Sequence, residues 1–180
     1  TAAYEFANGE LFVRFEESVR GSDAFVVQSH ELHNMGHLYE GAVAYFQATG
    51  KDSLLKVAEK NAQHVNRVFF EGEEGYNGGE PVNQAPGHQE IELALVKLSK
   101  ATGNPLYLEM AERFLAIRGR TYVPEGEGVM SPTYAQQHAP VEEQKAPAGH
   151  AVRAAYMYAA MADVALSKEN AAYTEALAKA

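Results

Sequence analysis

Three Gly-His pairs, Gly36-His37, Gly87-His88 and Gly149-His150, each stand at the head of a long amphipathic stretch. That placement predicts three helix starts, where backbone N–H groups lack intrahelical partners and a partial positive charge collects. A histidine there is biased toward its neutral form, which donates through one ring nitrogen and accepts through the other. Three such rings at one rim of a helical array would suit a ligand rich in hydroxyl groups. Spacing alone leaves a plainer alternative open, in which glycine ends a loop and histidine fills a polar slot.

Acidic residues stand close behind the first two histidines: Glu40, Glu90 and Glu92. Two carboxylates roughly 5–10 Å apart can act as acid and base on a glycoside. The alternative is electrostatic, a carboxylate complementing a helix N-terminus for some tenths of a kcal/mol. Glu142 and Glu143, ahead of the third pair, admit the same two readings. His30, His33 and His37 recur at a spacing that could share one helical face and hold zinc. If the helix begins at Glu31, His30 is instead a cap and the face is incomplete, so no metal is expected in this chain. His64 is expected on the surface of an outer helix. No phosphate loop, dinucleotide fingerprint or Gly-x-Ser-x-Gly motif is present.

Helices must position these groups. From about His30 onward the periodicity is helical, with segments near 31–48, 52–70, 88–101, 105–118, 149–167 and 171–179. They come in pairs. The first member of each is strongly apolar, as in Leu38, Ala42, Val43, Tyr45 and Phe46, or Val152, Ala155, Tyr156, Tyr158, Ala159, Met161 and Val164. The second is amphipathic: Leu54, Leu55, Ala58, Ala62 and Val65 form a stripe opposite Lys51, Lys56, Glu59 and Lys60. Ala48-Thr49-Gly50 and Ala101-Thr102-Gly103 repeat the same helix stop, and Pro105 opens the returning helix of the second pair. The unit repeats every roughly fifty to sixty residues, which predicts an α/α toroid or a helical solenoid. Three hairpins would make half of a six-hairpin ring and leave helix faces uncovered for self-association. The connections 71–86 and 120–148 are long enough to be functional.

Residues 1–29 read differently. Leu11-Phe12-Val13-Arg14-Phe15 and Ala24-Phe25-Val26-Val27 are β-type runs, with turn chemistry at Asn8-Gly9 and Gly21-Ser22-Asp23. The chain of 180 residues therefore divides at 29/30 into a β-type leader and a helical domain, 30–180. A net charge of −9 argues against nucleic acid or an anionic membrane as partner. No apolar run reaches membrane-spanning length. The chain has no cysteine, which removes thiolate nucleophiles, thiolate metal ligands and disulfides, and no tryptophan, which leaves tyrosine, phenylalanine and histidine to stack on a sugar. Thr1 is not an ordinary initiator, so an upstream portion is expected.

Three blocks carry a family resemblance. They are His30-Glu31-Leu32-His33-Asn34-Met35-Gly36-His37-Leu38-Tyr39-Glu40-Gly41-Ala42, then Pro86-Gly87-His88-Gln89-Glu90-Ile91-Glu92-Leu93-Ala94-Leu95-Val96, then Tyr134-Ala135-Gln136-Gln137-His138 continuing through Pro140-Val141-Glu142-Glu143-Gln144 to Gly149-His150-Ala151-Val152-Arg153-Ala154. Over residues 30–180 the chain resembles glycoside hydrolase family 127, the bacterial β-L-arabinofuranosidases. The resemblance implies a mainly α fold, part of an (α/α)6 toroid, and a soluble protein of the bacterial cytoplasm. It implies that His37, His88 and His150 hydrogen-bond the hydroxyls of a small carbohydrate. The family's zinc-bound cysteine nucleophile has no counterpart in this cysteine-free chain, so no cofactor is expected here and the isolated chain is expected to be inactive. His33 stands where the family has tyrosine, Gln137 where it has an acid, and Lys145-Ala146-Pro147-Ala148 where it has a stretch with glutamate.

The leader resembles the N-terminal part of ribose-phosphate pyrophosphokinase, through Tyr4-Glu5-Phe6-Ala7-Asn8-Gly9-Glu10, Val13–Asp23 and Val26-Val27-Gln28-Ser29. That likeness implies a contact between Phe6, Asn8 and Glu10 and an adenine ring. The phosphate loop that would support phosphoryl transfer is absent. The sequence is thus expected to be a mosaic whose helical part carries a piece of a glycoside hydrolase sugar site. A non-enzymatic helical-repeat scaffold and a nucleotide-related fragment are the alternatives.

Overall fold

The structure is a computed structural model that describes residues 6–7, 10–11, 30–121 and 125–179. In the leader it describes β1 (Phe6–Ala7) and β2 (Glu10–Leu11), paired antiparallel with Phe6 opposite Leu11. They flank the Asn8-Gly9 dipeptide that the sequence marks as a turn. The expected β-type run at 24–27, and that at 11–15 beyond Leu11, lie outside the described residues, as does the Gly21-Ser22-Asp23 turn.

Three helical hairpins follow. Helix α1 (Glu31–Thr49) stops where Gly50 turns left-handed and its N–H bonds the Phe46 carbonyl at 2.7 Å. Helix α2 (Ser53–Asn66) returns and runs into a π-helical turn, Arg67–Glu71. Helix α3 (Ile91–Thr102) ends at Gly103 by the same device as α1. Asn104 then caps α4 (Pro105–Ile117), its side-chain oxygen accepting from the Leu106 N–H at 3.1 Å. Helix α5 (Ala151–Lys168) is capped by His150, and α6 (Ala171–Leu177) by Asn170, which accepts from the Tyr173 N–H at 3.1 Å.

The inner helices α1, α3 and α5 stand side by side in that order, each backed by its own partner α2, α4 or α6. Tyr39, Ala42, Leu55, Ala58, Leu95, Leu98, Tyr107, Met110, Phe114, Met157, Met161 and Val164 fill the space between the two layers and are buried. Tyr39 carries a hydroxyl into this core, and the Asn61 side chain accepts its proton at 2.6 Å. One expectation fails here. His64 is buried rather than on the surface, because the chain after α2 folds back and brings Glu73 to within 3.1 Å of its Nδ1.

The two long connections are packed, not draped. Gln84, Gln89, Gln136, Gln137 and Gln144 are all buried in them. Burying polar side chains demands hydrogen-bond partners, and most of these glutamines find them in backbone carbonyls. Gln136 Nε2 donates to the Ala148 carbonyl at 2.8 Å, and Gln144 Nε2 to the Gln136 and Ala139 carbonyls at 2.9 and 3.0 Å. Arg118 sits at the centre, fully buried. Its guanidinium donates to the Pro86 carbonyl (2.8 Å), the Ala135 carbonyl (2.9 Å) and Glu92 Oε1 (2.9 Å). One side chain thereby ties both connections to α3 and α4.

Candidate functional site

The expectation of three helix starts holds for one pair only. His150 caps α5, its Nδ1 facing the Arg153 N–H at 3.5 Å. Gly149 before it adopts φ +74°, and a Cβ there would lie 1.9 Å from the Thr133 carbonyl oxygen, so glycine is required for both reasons. Gly36-His37 instead lies inside α1, beyond its first turn. Gly36 serves close approach: a Cβ would meet Glu90 Cγ at 2.6 Å and the Ile91 nitrogen at 3.0 Å. Gly87-His88 precedes α3 by three residues and belongs to the connection.

The three histidines nonetheless come together, by way of a fourth. The His33 ring lies 3.9 Å from His88 and 4.5 Å from His37, centroid to centroid. His88 lies 6.5 Å from His150. Tyr156 of α5 stands edge-on to His33, His37 and His88 at 5.7, 6.2 and 5.9 Å. His30 and Tyr134 extend the array at either end. Sequence reasoning placed Tyr156 in the apolar stripe of its helix and weighed His33 only as a metal ligand. The signal for His33 was its one-turn spacing from His37, which puts both rings on one face of α1.

Backbone acceptors fix the proton positions. His33 Nδ1 lies 3.1 Å from the Gln89 carbonyl oxygen and His88 Nδ1 lies 2.8 Å from the same oxygen. A carbonyl only accepts, so both rings carry hydrogen on Nδ1 and offer Nε2 as an acceptor. His33 Nε2 meets His37 Nε2 at 3.1 Å, so His37 is the donor there and keeps a lone pair on Nδ1. Burial lowers the pKa of His33, and lowers that of His88 to about 4, with the Gln89 acceptor offsetting part of the effect. Both rings are therefore neutral at physiological pH.

Behind His37 lie two of the three candidate carboxylates. Its Nδ1 is 3.5 Å from Glu90 Oε1 and 3.9 Å from Glu40 Oε2. The Glu90 side chain is 0% exposed, and neither of its oxygens has a hydrogen-bond donor. Burial, with the charge of Glu40 added, pushes its pKa up to about 8. Burial also opposes ionisation of Glu40, but the ammonium of Lys97, bonded to it, carries its carboxyl below the usual range. The third candidate, Glu92, faces away. It is buried in an ion pair with Arg118 and accepts from the Glu90 N–H at 3.2 Å. Glu142 pairs with Arg120, and Glu143 is exposed.

The segment bearing His88 is held from three sides. Arg153 donates to the Gly87 carbonyl while its guanidinium lies 4.8 Å over the Tyr134 ring. Gln89 Nε2 donates to Gln136 Oε1 at 2.8 Å and to the Ala135 carbonyl at 3.2 Å. Arg118 holds Pro86. The arrangement is a rim of imidazole donors and acceptors backed by a tyrosine edge, a set of groups that can pair with hydroxyls. The thiolate zinc centre implied by the resemblance does not fit, since no sulfur donor exists in the chain.

The family model for the beta-L-arabinofuranosidase, GH127 catalytic domain, matches residues 6–179, running across position 30. A non-reducing end beta-L-arabinofuranosidase of Bifidobacterium longum subsp. longum is 38% identical over 155 residues, which covers 78% of this chain and 23% of that protein. The crystal structure of a GH127 beta-L-arabinofuranosidase from Geobacillus stearothermophilus T6 superposes with a TM-score of 0.77 at 39% identity, covering 86% of this chain and 25% of that one. The chain thus spans about a quarter of the length of these relatives. A separate 28-residue stretch is 79% identical to ribose-phosphate pyrophosphokinase of Corynebacterium efficiens, 16% of this chain and 9% of that protein.

Proposed function

We propose that this chain, which belongs to the beta-L-arabinofuranosidase GH127 catalytic domain family, supplies the histidine-lined part of a carbohydrate site and holds a terminal arabinofuranose through His37, His88 and His150. The observation that carries the reading is the convergence of these rings from three separate segments, one in α1, one in the connection before α3 and one at the cap of α5, with His33 and Tyr156 filling the gaps between them. Imidazoles suit sugar hydroxyls because a ring nitrogen left over from internal bonding can pair with a hydroxyl as donor or acceptor. His88 has Nδ1 committed to the Gln89 carbonyl and so presents an acceptor to a hydroxyl proton. The tyrosine edge offers an apolar contact for sugar C–H groups.

Cleavage is a different matter. The nucleophilic thiolate that the resemblance implies is absent, and of the carboxylates near the rim Glu90 lies behind His37 rather than beside a ligand. The chain is therefore expected to bind a glycoside without hydrolysing it. Within the described residues no helix is long and apolar enough to cross a membrane.

Ligand-observed NMR with methyl β-L-arabinofuranoside, run in the presence of a chelator, tests the assignment. Saturation transfer to the sugar should appear with the native chain. It should weaken by about tenfold when either His37 or His88 becomes alanine, the loss expected of one or two hydrogen bonds. Transfer unchanged in both variants would refute the site.

A further inference from the structure

We propose that His37, Glu40 and Glu90 form a divalent-cation site, best matched to zinc, in which His37 Nδ1 and one oxygen of each carboxylate are the ligands. The donor atoms all lie within 4.8 Å of one another. The separations from His37 Nδ1 are 3.5 Å to Glu90 Oε1 and 3.9 Å to Glu40 Oε2. Ligands bound at about 2.0–2.1 Å around a tetrahedral zinc stand about 3.4 Å apart. Small side-chain rotations therefore close the set.

The histidine is already in the form a metal requires. Its Nε2–H is given to His33 Nε2 at 3.1 Å, and His33 is locked in turn by the Gln89 carbonyl at 3.1 Å. That leaves the Nδ1 lone pair directed at the carboxylates. A ligating imidazole whose second nitrogen donates to a fixed acceptor is the usual outer-shell arrangement around bound metals. His33, where the family resemblance implies tyrosine, is the residue that supplies this acceptor.

Glu90 gives an independent reason. Its side chain is fully buried, faces His37 Nδ1, and has no hydrogen-bond donor on either oxygen. Protonated, Glu90 shares its hydrogen with Glu40; ionised, it has no donor, and a cation between it and His37 Nδ1 is what would offset its buried charge. Lys97 is bonded to Glu40 Oε1 and so leaves Oε2 for a cation. The 47% exposure of the His37 side chain provides an entry path and room for water at the remaining coordination position. One nitrogen and two carboxylate donors favour zinc over magnesium or calcium, which require more oxygens.

His37 is common to the cation and carbohydrate readings, but the cation reading needs no sugar and engages only the Nδ1 side of the ring, so the two are tested separately. The full chain, stripped with a chelator and dialysed, is titrated with zinc chloride alone by calorimetry at pH 7 in two buffers of different ionisation enthalpy. The expected result is saturable uptake of a single equivalent with release of a proton from Glu90. Glu90→Gln and Glu40→Gln should each weaken binding by at least about tenfold, while Glu142→Gln leaves it unchanged. Circular dichroism shows which variants keep native helicity, and Glu40→Gln, half-buried at the rim, keeps the test open if the Glu90 variant does not fold. Absence of saturable binding overturns the proposal. So does binding that persists in both carboxylate variants, which would place the ion among the histidines alone. Because the sugar titration is run with chelator, loss of the zinc result leaves the carbohydrate site standing, and the converse also holds.

Discussion

At the scale of single residues, Glu90 shows how far burial can override ordinary chemistry. Its ordinary pKa is 4.5 and its folded value is about 8, raised by burial and then by Glu40, with Glu92 adding and Lys97 opposing. Between those values the folded chain holds a proton that the unfolded chain has lost, so stability falls as pH rises. Glu31, pushed by burial to about 7, steepens the fall below pH 7. His88, pushed to about 4, acts in the opposite sense, costing stability as pH drops from 6.5 toward 4. Between pH 7 and 8 Glu90 is left to dominate. The native chain in chelator is expected to lose about 1 kcal/mol of unfolding free energy over that interval, measured by urea titration, and Glu90→Gln should remove the slope. An equal slope in the variant would show that another group carries it. The sequence made Glu90 visible as a carboxylate near a histidine, but not its isolation from donors. That depends on Gly36, fifty-four positions earlier, letting α1 close over it.

At the scale of elements, the sequence was legible wherever the signal was local. Apolar periodicity and the Thr-Gly stops placed α1 to α6 within a few residues of where they lie. The Gly-His motif was misleading because one dipeptide does three different jobs. In α1 the glycine permits close approach, before α3 the pair is part of a packed connection, and at α5 the glycine takes a left-handed turn and the histidine caps. Nothing within two adjacent residues distinguishes these cases, since what differs is the segment packed against them. The difference is measurable. Gly149→Ala must both strain φ +74° and displace the Thr133 carbonyl, so a loss of about 2–4 kcal/mol is expected. Gly36→Ala meets Glu90 Cγ at 2.6 Å and the Glu90–Ile91 backbone at 3.0 Å but keeps an ordinary helical backbone, and should cost about 1–3 kcal/mol. Denaturation midpoints compare the two, and a smaller loss for Gly149→Ala than for Gly36→Ala would contradict this account. Both changes should also weaken sugar binding, since each moves a site histidine.

At the scale of the whole molecule, the inner helices carry His33, His37 and Tyr156 while the long connections bring in His88 and lead to His150, and the two are joined by an arginine that nothing in the sequence singled out. Arg118 reads as an ordinary cation ending an amphipathic helix. In the structure it is fully buried and bonded to Pro86, next to Gly87-His88, to Ala135, whose neighbour Tyr134 accepts from the His150 N–H, and to Glu92 of α3. Its importance was hidden because its partners are mostly backbone carbonyls, which leave no trace in residue types. Removing it would strand the Glu92 carboxylate and two carbonyls in the interior, where breaking a buried pair costs about 3–5 kcal/mol. Lysine cannot replace it, because a single ammonium does not reproduce the planar fork that reaches three acceptors in different directions. Arg118→Lys is therefore expected to lose most of what Arg118→Ala loses. Replacing Arg118 and Glu92 together with methionine and leucine should recover part of the stability, since the orphaned charge disappears. Recovery of stability need not restore the site: the Pro86 and Ala135 carbonyls would still lack their donor, so His88 and His150 should remain out of register and arabinofuranoside binding should stay weak. Unfolding midpoints and the sugar titration measured on the same four proteins separate these effects. Full recovery of binding in the double variant would show that the connections hold their shape without the arginine.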